Sequence, residues 1–235
     1  MSKRNKLEKF ADNGLFSNVL ENPNFSKPKL MKNQFEEIQL KGRWAKDFFE
    51  NNHPITLELA CGRGDYTIQL AQRHPEKNVI GVDIKGARIW AGAKAAIDFG
   101  LKNVAFLRTR IEQIACFFET DEVEELWITF ADPFLKNSRS ERRLSSNFYL
   151  DQYKKILKQG SIIHLKTDDP VLFDFTLETC TARSDYSLLK HNHDIYSSNS
   201  LDHPDLEFKT YYELKHLAIG RTIKYCQIQL TSKEN

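Results

Sequence analysis

Short apolar runs alternate with longer amphipathic stretches from residue 53 onward. The runs at 55–59, 79–82, 104–107, 126–130 and 162–165 are four or five residues long and read as strands. Between and after them, 65–73, 85–99, 111–118, 141–157 and 171–180 repeat apolar residues at helical spacing. His74-Pro75, Gly100 and Gly160 punctuate the pattern. Short buried strands alternating with helices predict an α/β layer on a mostly parallel sheet. The last third differs: 207–212 and 222–230 read as two further strands, an antiparallel hairpin that brings the expected sheet to seven strands with helices on both faces.

The first 50 residues break the alternation. Asn13-Gly14, Asn22-Pro23 and Lys27-Pro28 are loop signals, and ten Lys/Arg stand against seven acids. Residues 1–30 read as a flexible basic tail, and 31–235 as the folded domain. A helix is expected over 33–51, with Phe35, Ile38, Trp44 and Phe48 on or near one face.

Composition narrows the class. The 235 residues suit one large domain or two small ones. Charge is nearly balanced, 34 basic against 32 acidic, so local charge matters more than net charge. Residues 133–166 hold eight Lys/Arg against two acids, either a patch for polyanions or a solvated helix face. The four cysteines are scattered without a C-x-x-C pair, which indicates reduced thiols and neither a disulfide framework nor a zinc site. No apolar run reaches transmembrane length, and Met1 to Lys9 is polar and charged, unlike a signal peptide. A cytoplasmic protein without a membrane partner is expected, as monomer or homodimer.

Candidate chemistry gathers at the strand ends, where open parallel sheets bind ligands. Glu58 precedes the turn Gly62-Arg63-Gly64-Asp65-Tyr66-Thr67, a G-x-G-x-x-T pattern. A dinucleotide fingerprint has its third glycine where Thr67 stands, and an acid before the turn would repel a pyrophosphate. S-adenosylmethionine has no phosphate and carries an ammonium and a sulfonium, which Glu58 suits. Asp83 ends the second strand, where an acid accepts ribose hydroxyls. The turn therefore favours S-adenosylmethionine over NAD. The alternatives are a helix-capping role for Glu58 and an N-cap role for Asp83. Phe130-Ala131-Asp132-Pro133-Phe134-Leu135-Lys136, followed by Arg139, Arg142 and Arg143, puts a carboxylate at a strand tip beside a basic run suited to a phosphate backbone. His191-x-His193 with Asp194 lies in a polar, loop-like stretch, so no metal site is expected.

These blocks resemble the bacterial tRNA (guanine-N7-)-methyltransferases. The family's usual blocks are E-x-G-x-G-x-G, G-[IV]-[ED], F-x-D-P-W-x-K, T-D and T-x-x-E with a glycine downstream. Here they appear as Glu58 to Gly64, Gly81-Val82-Asp83, Phe130 to Lys136, Thr167-Asp168, and Thr210-Tyr211-Tyr212-Glu213 with Gly220. The resemblance runs from about residue 55 to 225 and implies a Rossmann-like class I methyltransferase fold. It implies methyl transfer from S-adenosylmethionine to N7 of guanine 46 in the tRNA variable loop. It also implies cofactor roles for Glu58, Asp83 and Asp132; Gly62 and Gly64 of the turn join them as cofactor-binding candidates, and Asp132 and Asp168 are the catalytic candidates. Lys136, Asp168 and Thr210 to Glu213 are implied to bind tRNA or its guanine, and Arg139 and Arg142 of the basic run are the candidates for tRNA phosphates. The chain departs from the family at Ala60 for the first glycine, Phe134 for tryptophan, Asn137-Ser138 within the basic run, and Thr109 for the acid after the third strand. A hydroxyl or backbone amide at Thr109 is the expected adenine contact.

The residue types suit the reaction. Guanine N7 has an exposed lone pair, so no proton leaves before methyl transfer, and catalysis is alignment and electrostatics. A carboxylate accepts from guanine N1–H and the N2 amine; Asp168 and Glu213 are the candidates, with Asp132 near the methyl. Phe134 or Tyr212 either stacks on an extruded base or is an ordinary core or rim residue. Arg142 and Arg143 either hold phosphates or pack a helix. The rivals are a methyltransferase for another RNA or a small molecule and a non-catalytic RNA-binding protein on this fold. An NAD-dependent reductase is disfavoured by Thr67.

Overall fold

In the computed structural model, which describes residues 4–198 and 200–232, three parallel strands carry the expected α/β pattern of the first half: β4 (Ile55–Leu59), β5 (Asn78–Asp83) and β6 (Val104–Arg108). Every residue of β4 and β5 is buried, as befits strands covered on both faces. The crossover helices are α2 (Asp65–Arg73) and α3 (Gly86–Asp98). Chain contacts divide the molecule into two units, Met1–Glu119 and Thr120–Asn235.

The first unit also contains the stretch whose loop signals predict a flexible tail. Helix α1 (Lys6–Asn13) packs on α3. Strand β1 (Val19–Glu21) runs parallel to β6, and β2 (Leu30–Lys32) and β3 (Glu36–Ile38) follow antiparallel. The strand order in this unit is β3-β2-β1-β6-β5-β4. Val19 and Leu20 are buried, so β1 contributes to the core. A three-residue strand is too short to show period-two alternation, which is why the pattern missed it. The first three residues of the expected tail lie outside the described residues.

The helix expected over 33–51 is absent. Asn33, Gln34 and Gly42 all have positive φ (54°, 65° and 74°), which breaks any helix there. A π-helical turn, Trp44–Phe48, is the only helical piece of that stretch. Trp44 is fully buried; its indole N–H donates to Phe117 O at 2.8 Å and its ring stacks on Phe118. Phe35, expected on the same face, is exposed. The helix expected over 111–118 is a 3-10 helix, Ile111–Cys116.

In the second unit the strand order is β7-β8-β10-β9, with β7 (Val123–Thr129), β8 (Leu157–Thr167), β9 (Tyr186–Asn192) and β10 (Lys224–Leu230). β7 and β8 are parallel; β10 is antiparallel to both neighbours. The C-terminal antiparallel pair is present, but β9 is the partner of β10, not residues 207–212. That segment holds the end of a 3-10 helix, Pro204–Glu207, and the start of α6 (Tyr211–Ala218). Aromatic Phe208, Tyr211 and Tyr212 mimic a strand, while the local T-x-x-E starts a helix: Thr210 Oγ1 accepts from Glu213 N at 3.1 Å. The helix expected over 141–157 is α4 (Asn147–Lys154), preceded by a 3-10 helix, Asn137–Arg142. Helix α5 (Pro170–Thr181) is capped by Asp169 and packs on β8, β9 and β10. The described residues thus carry ten strands: six of the expected seven, β9 in place of residues 207–212, and three from the N-terminal segment. Among them no helix is long and apolar enough to cross a membrane.

Candidate active site

In the first unit, the turn after β4 is built around two carboxylates. Glu58 is buried, and its Oε2 accepts from the backbone N–H of Thr67 at 2.7 Å and from the Thr67 hydroxyl. It therefore holds the first turn of α2, the capping role that the residues alone left open. Asp83 ties the two strand ends together: Oδ2 accepts from Gly62 N at 2.9 Å and Oδ1 from Lys85 N at 2.7 Å. Helix α3 begins after Lys85, so Asp83 is not its N-cap. Each Asp83 oxygen keeps a further lone-pair site for a ligand.

The glycines are needed for different reasons. Gly64 has φ +73°, and a Cβ there would stand 2.6 Å from the Phe106 ring. Gly62 has φ +57°, but a Cβ there would meet nothing closer than Ala60 O at 3.9 Å. Its bare face looks onto open space that a ligand can fill. Ala60 has φ +56°, a conformation that costs an L-residue about 1–2 kcal/mol. Burial pushes the Cys61 thiol well up, and the Glu58 and Asp83 carboxylates push the same way. The turn is thus electronegative, and Cys61 is no thiolate nucleophile. Thr109 is fully buried; its amide donates to Asp83 O at 3.2 Å and its hydroxyl accepts from Asn22 Nδ2 at 3.1 Å. The amide that was one of the two expected adenine contacts is committed inside the protein.

In the second unit, Asp132 is exposed beyond the tip of β7, and its Oδ1 accepts from Phe134 N at 3.1 Å. Phe130 and Phe134 both have positive φ (50° and 43°), so this loop stores backbone strain of the kind found at functional sites. Lys136, Arg139 and Arg142 are exposed. Arg143 is not: it is buried, donates to Pro133 O at 2.9 Å and Phe134 O at 3.2 Å, and lies over the Phe175 ring. The fourth residue of the basic run is therefore a clamp on the Asp132 loop and no phosphate contact.

Asp168 follows β8 as Asp132 follows β7, and the two strands are parallel neighbours, so both acids lie beyond the same sheet edge. The Asp168 carboxylate is mostly buried. One oxygen is 2.9 Å from His216 Nδ1, an ion-pair distance without hydrogen-bond geometry, and Arg221 donates to the other. Lys224 Nζ donates to the Asp168 carbonyl at 3.2 Å. Glu213 is fully buried: Oε1 accepts from Lys166 Nζ at 2.8 Å and from Tyr196 OH at 2.6 Å, whereas Oε2 has no hydrogen-bond partner among the described residues. Lys166 also donates to Leu206 O and Phe208 O. Burial pushes the Lys166 ammonium down to about 8 even though Glu213 pulls it up. Lys166, Tyr196, His216 and Arg221 carried no motif signal; sequence reasoning did not find them because each acts on a residue far along the chain or outside any recognisable pattern.

The family model described as "Putative methyltransferase" matches residues 52–226. The tRNA (guanine-N(7)-)-methyltransferase of Christiangramia forsetii is 45% identical over 98% of this chain and 100% of its own. That of Bacteroides thetaiotaomicron is 44% identical over 97% of this chain and 86% of its own. Among solved structures, the 16S rRNA methyltransferase KamB aligns with a TM-score of 0.61 at 13% identity, covering 84% of this chain and 97% of that one. A single-site mutant of the 16S rRNA (adenine(1408)-N(1))-methyltransferase of Catenulisporales acidiphilia, solved with cosubstrate SAM, aligns at 0.54 and 14% identity, covering 85% and 96%. At such identity these structures establish the class I methyltransferase fold. The curated relatives establish more: the chain belongs to the tRNA (guanine-N7-)-methyltransferase family.

Proposed function

We propose that this protein transfers the methyl group of S-adenosylmethionine to N7 of guanine 46 in the tRNA variable loop. The observation that carries the reading is 45% identity across 98% of the chain to a tRNA (guanine-N(7)-)-methyltransferase. The turn after β4 fits the cofactor: a bare Gly62 face, two buried carboxylates and no phosphate-binding glycine at Thr67. When bound, S-adenosylmethionine supplies an electrophilic methyl on a sulfonium. Glu58 and Asp83 supply the negative potential for its cationic portion, and Asp83 accepts from its ribose hydroxyls. Gly64 keeps the backbone close. Thr109 shapes the adenine side with its buried hydroxyl, in place of the family's acid.

Residues of the second unit handle the base. Asp132 orients the reacting centre, and Asp168, held by Arg221 and His216, accepts from guanine N1–H and the N2 amine. That contact aligns N7 and favours the cationic 7-methylguanine that forms. Glu213 offers Oε2, a buried acceptor in need of a donor, once the base displaces what covers it. Thr210 fixes the α6 N-terminus that presents Glu213. Lys136, Arg139 and Arg142 hold phosphates. The reading places the protein in the cytoplasm, where tRNA is modified.

The test is methyl transfer from labelled S-adenosylmethionine into unmodified tRNA. A transcript with adenine for guanine 46 serves as the control. Label recovered as 7-methylguanosine only from the guanine-46 transcript supports the reading; label at another base, or none despite cofactor binding, sinks it.

A further inference from the structure

Outside the sites already described, Glu125 on β7, His164 on β8 and His203 before the 3-10 helix Pro204–Glu207 each bring one ligand atom to within 4.8 Å of the others. We propose that these three side chains form a binding site for a divalent transition-metal ion of the zinc or cobalt type. Two imidazoles and one carboxylate suit such borderline ions, whereas magnesium and calcium favour all-oxygen sites. His164 Nε2 lies 3.2 Å from Glu125 Oε1. Ligands about 2.0–2.2 Å from a tetrahedral ion sit at about this separation.

The surroundings hold these groups as a metal site requires. Trp127 pairs with His164 across the parallel strands, and the two rings stack at 3.9 Å and 7°. The Trp127 indole N–H donates to Glu125 Oε1 at 3.2 Å. His164 Nδ1 is 2.8 Å from the Tyr225 hydroxyl, so the second ring nitrogen has a fixed partner, as in metal-bound histidines. With a metal on Nε2, the His164 proton resides on Nδ1 and is donated to the Tyr225 oxygen, which accepts as readily as it donates. The His203 ring lies 5.0 Å from that of His164 at 63°. His203 Nδ1 now accepts from Asp205 N at 3.2 Å; loading through Nε2 moves the proton to Nδ1, and a side-chain shift would bring the Asp205 carboxylate, now 3.8 Å away and outside hydrogen-bond reach, in to accept it. His164 is buried and the His203 side chain is 25% exposed, so a metal reaches the site past His203, and water completes the coordination.

An ion here would staple the loop at His203 to β7 and β8. The same loop supplies Leu206 O and Phe208 O to Lys166, the partner of Glu213, so the staple would stiffen the segment that leads into α6. This site is independent of the methyl-transfer reading.

The experiment is equilibrium dialysis of chelator-stripped protein against zinc and cobalt(II) at neutral pH, with metal counted by elemental analysis. Expected is a single equivalent of metal and the visible absorption of four-coordinate cobalt. His203→Ala, at a partly exposed loop position, should keep the circular dichroism spectrum and weaken binding about tenfold or more. Glu125→Gln should do the same. The exposed pair His191 and His193, with rings 5.9 Å apart, is the competing site, and replacing both with alanine should leave binding unchanged. The proposal is overturned if wild-type protein binds no metal at micromolar concentration, if the His203→Ala affinity is unaltered, or if only the His191 and His193 replacements abolish binding.

Discussion

The turn after β4 and the network around Glu213 are both built on buried carboxylates, but their partners come from different distances along the chain. Glu58 binds Thr67 and Asp83 binds Gly62, residues that lie in or beside the recognisable turn. Glu213 is held by Lys166 from β8 and Tyr196 from a loop, and Asp168 by Arg221 from beyond α6. The first arrangement follows from local backbone geometry. The second exists only because β8, α6 and the loop at residue 196 are folded together. Local sites fail through backbone strain, whereas assembled sites fail when one partner leaves a buried charge behind.

The largest effect should come from breaking the assembled pair. Lys166→Met strands the Glu213 carboxylate in the core and should cost about 3–5 kcal/mol, read by urea unfolding. Adding Glu213→Leu should recover most of that loss; additive penalties would mean that the two side chains are not coupled. In the turn, Gly64→Ala should cost about 2–4 kcal/mol, because it combines a positive φ with a Cβ 2.6 Å from Phe106. Cofactor affinity measured by calorimetry should fall with it.

The buried ammonium also makes stability depend on pH. The folded-state value of Lys166, about 8, lies below its ordinary 10.5, so the unfolded chain holds the proton more tightly. Below about pH 8 the full cost of burying the ammonium is present; stability then rises as pH climbs towards 10.5. Unfolding at pH 10 should require about 2 kcal/mol more than at pH 8 from this group, and the Lys166→Met, Glu213→Leu protein should lack the rise.

The basic run separates two kinds of arginine. Arg142→Ala should lower the salt dependence of tRNA binding by about one phosphate contact, with stability unaltered. Arg143→Ala should leave that slope in place and cost about 2 kcal/mol, since it frees the carbonyls of Pro133 and Phe134. Equal salt slopes for the two variants would undo the distinction. The smallest effect is a gain: Ala60→Gly relieves a φ of +56° and should stabilise by about 1 kcal/mol, visible as a raised melting temperature.

The sequence by itself determined the parallel strands at 55–59, 79–82 and 104–107, the latter two of which the structure extends by one or two residues, their crossover helices, and the clustering of Glu58, Gly62, Gly64 and Asp83. Apolar period and turn glycines are local properties, and all four residues lie within one residue of a strand end or in the turn that follows it. It also carried the N-terminus of α6 in Thr210-x-x-Glu213, a capping signature outweighed by three aromatics that resemble a strand. Strands β1 to β3 are three residues each, too short for any period, and only parallel pairing with β6 and burial of Leu20 make β1 part of the sheet. The burial of Arg143 beside exposed Arg142, the lysine under Glu213, and the meeting of Glu125, His164 and His203 were decided by tertiary structure alone. Each depends on which face of an element turns inward and which distant strand becomes a neighbour, quantities set by the packing of the whole core and by no residue's immediate sequence.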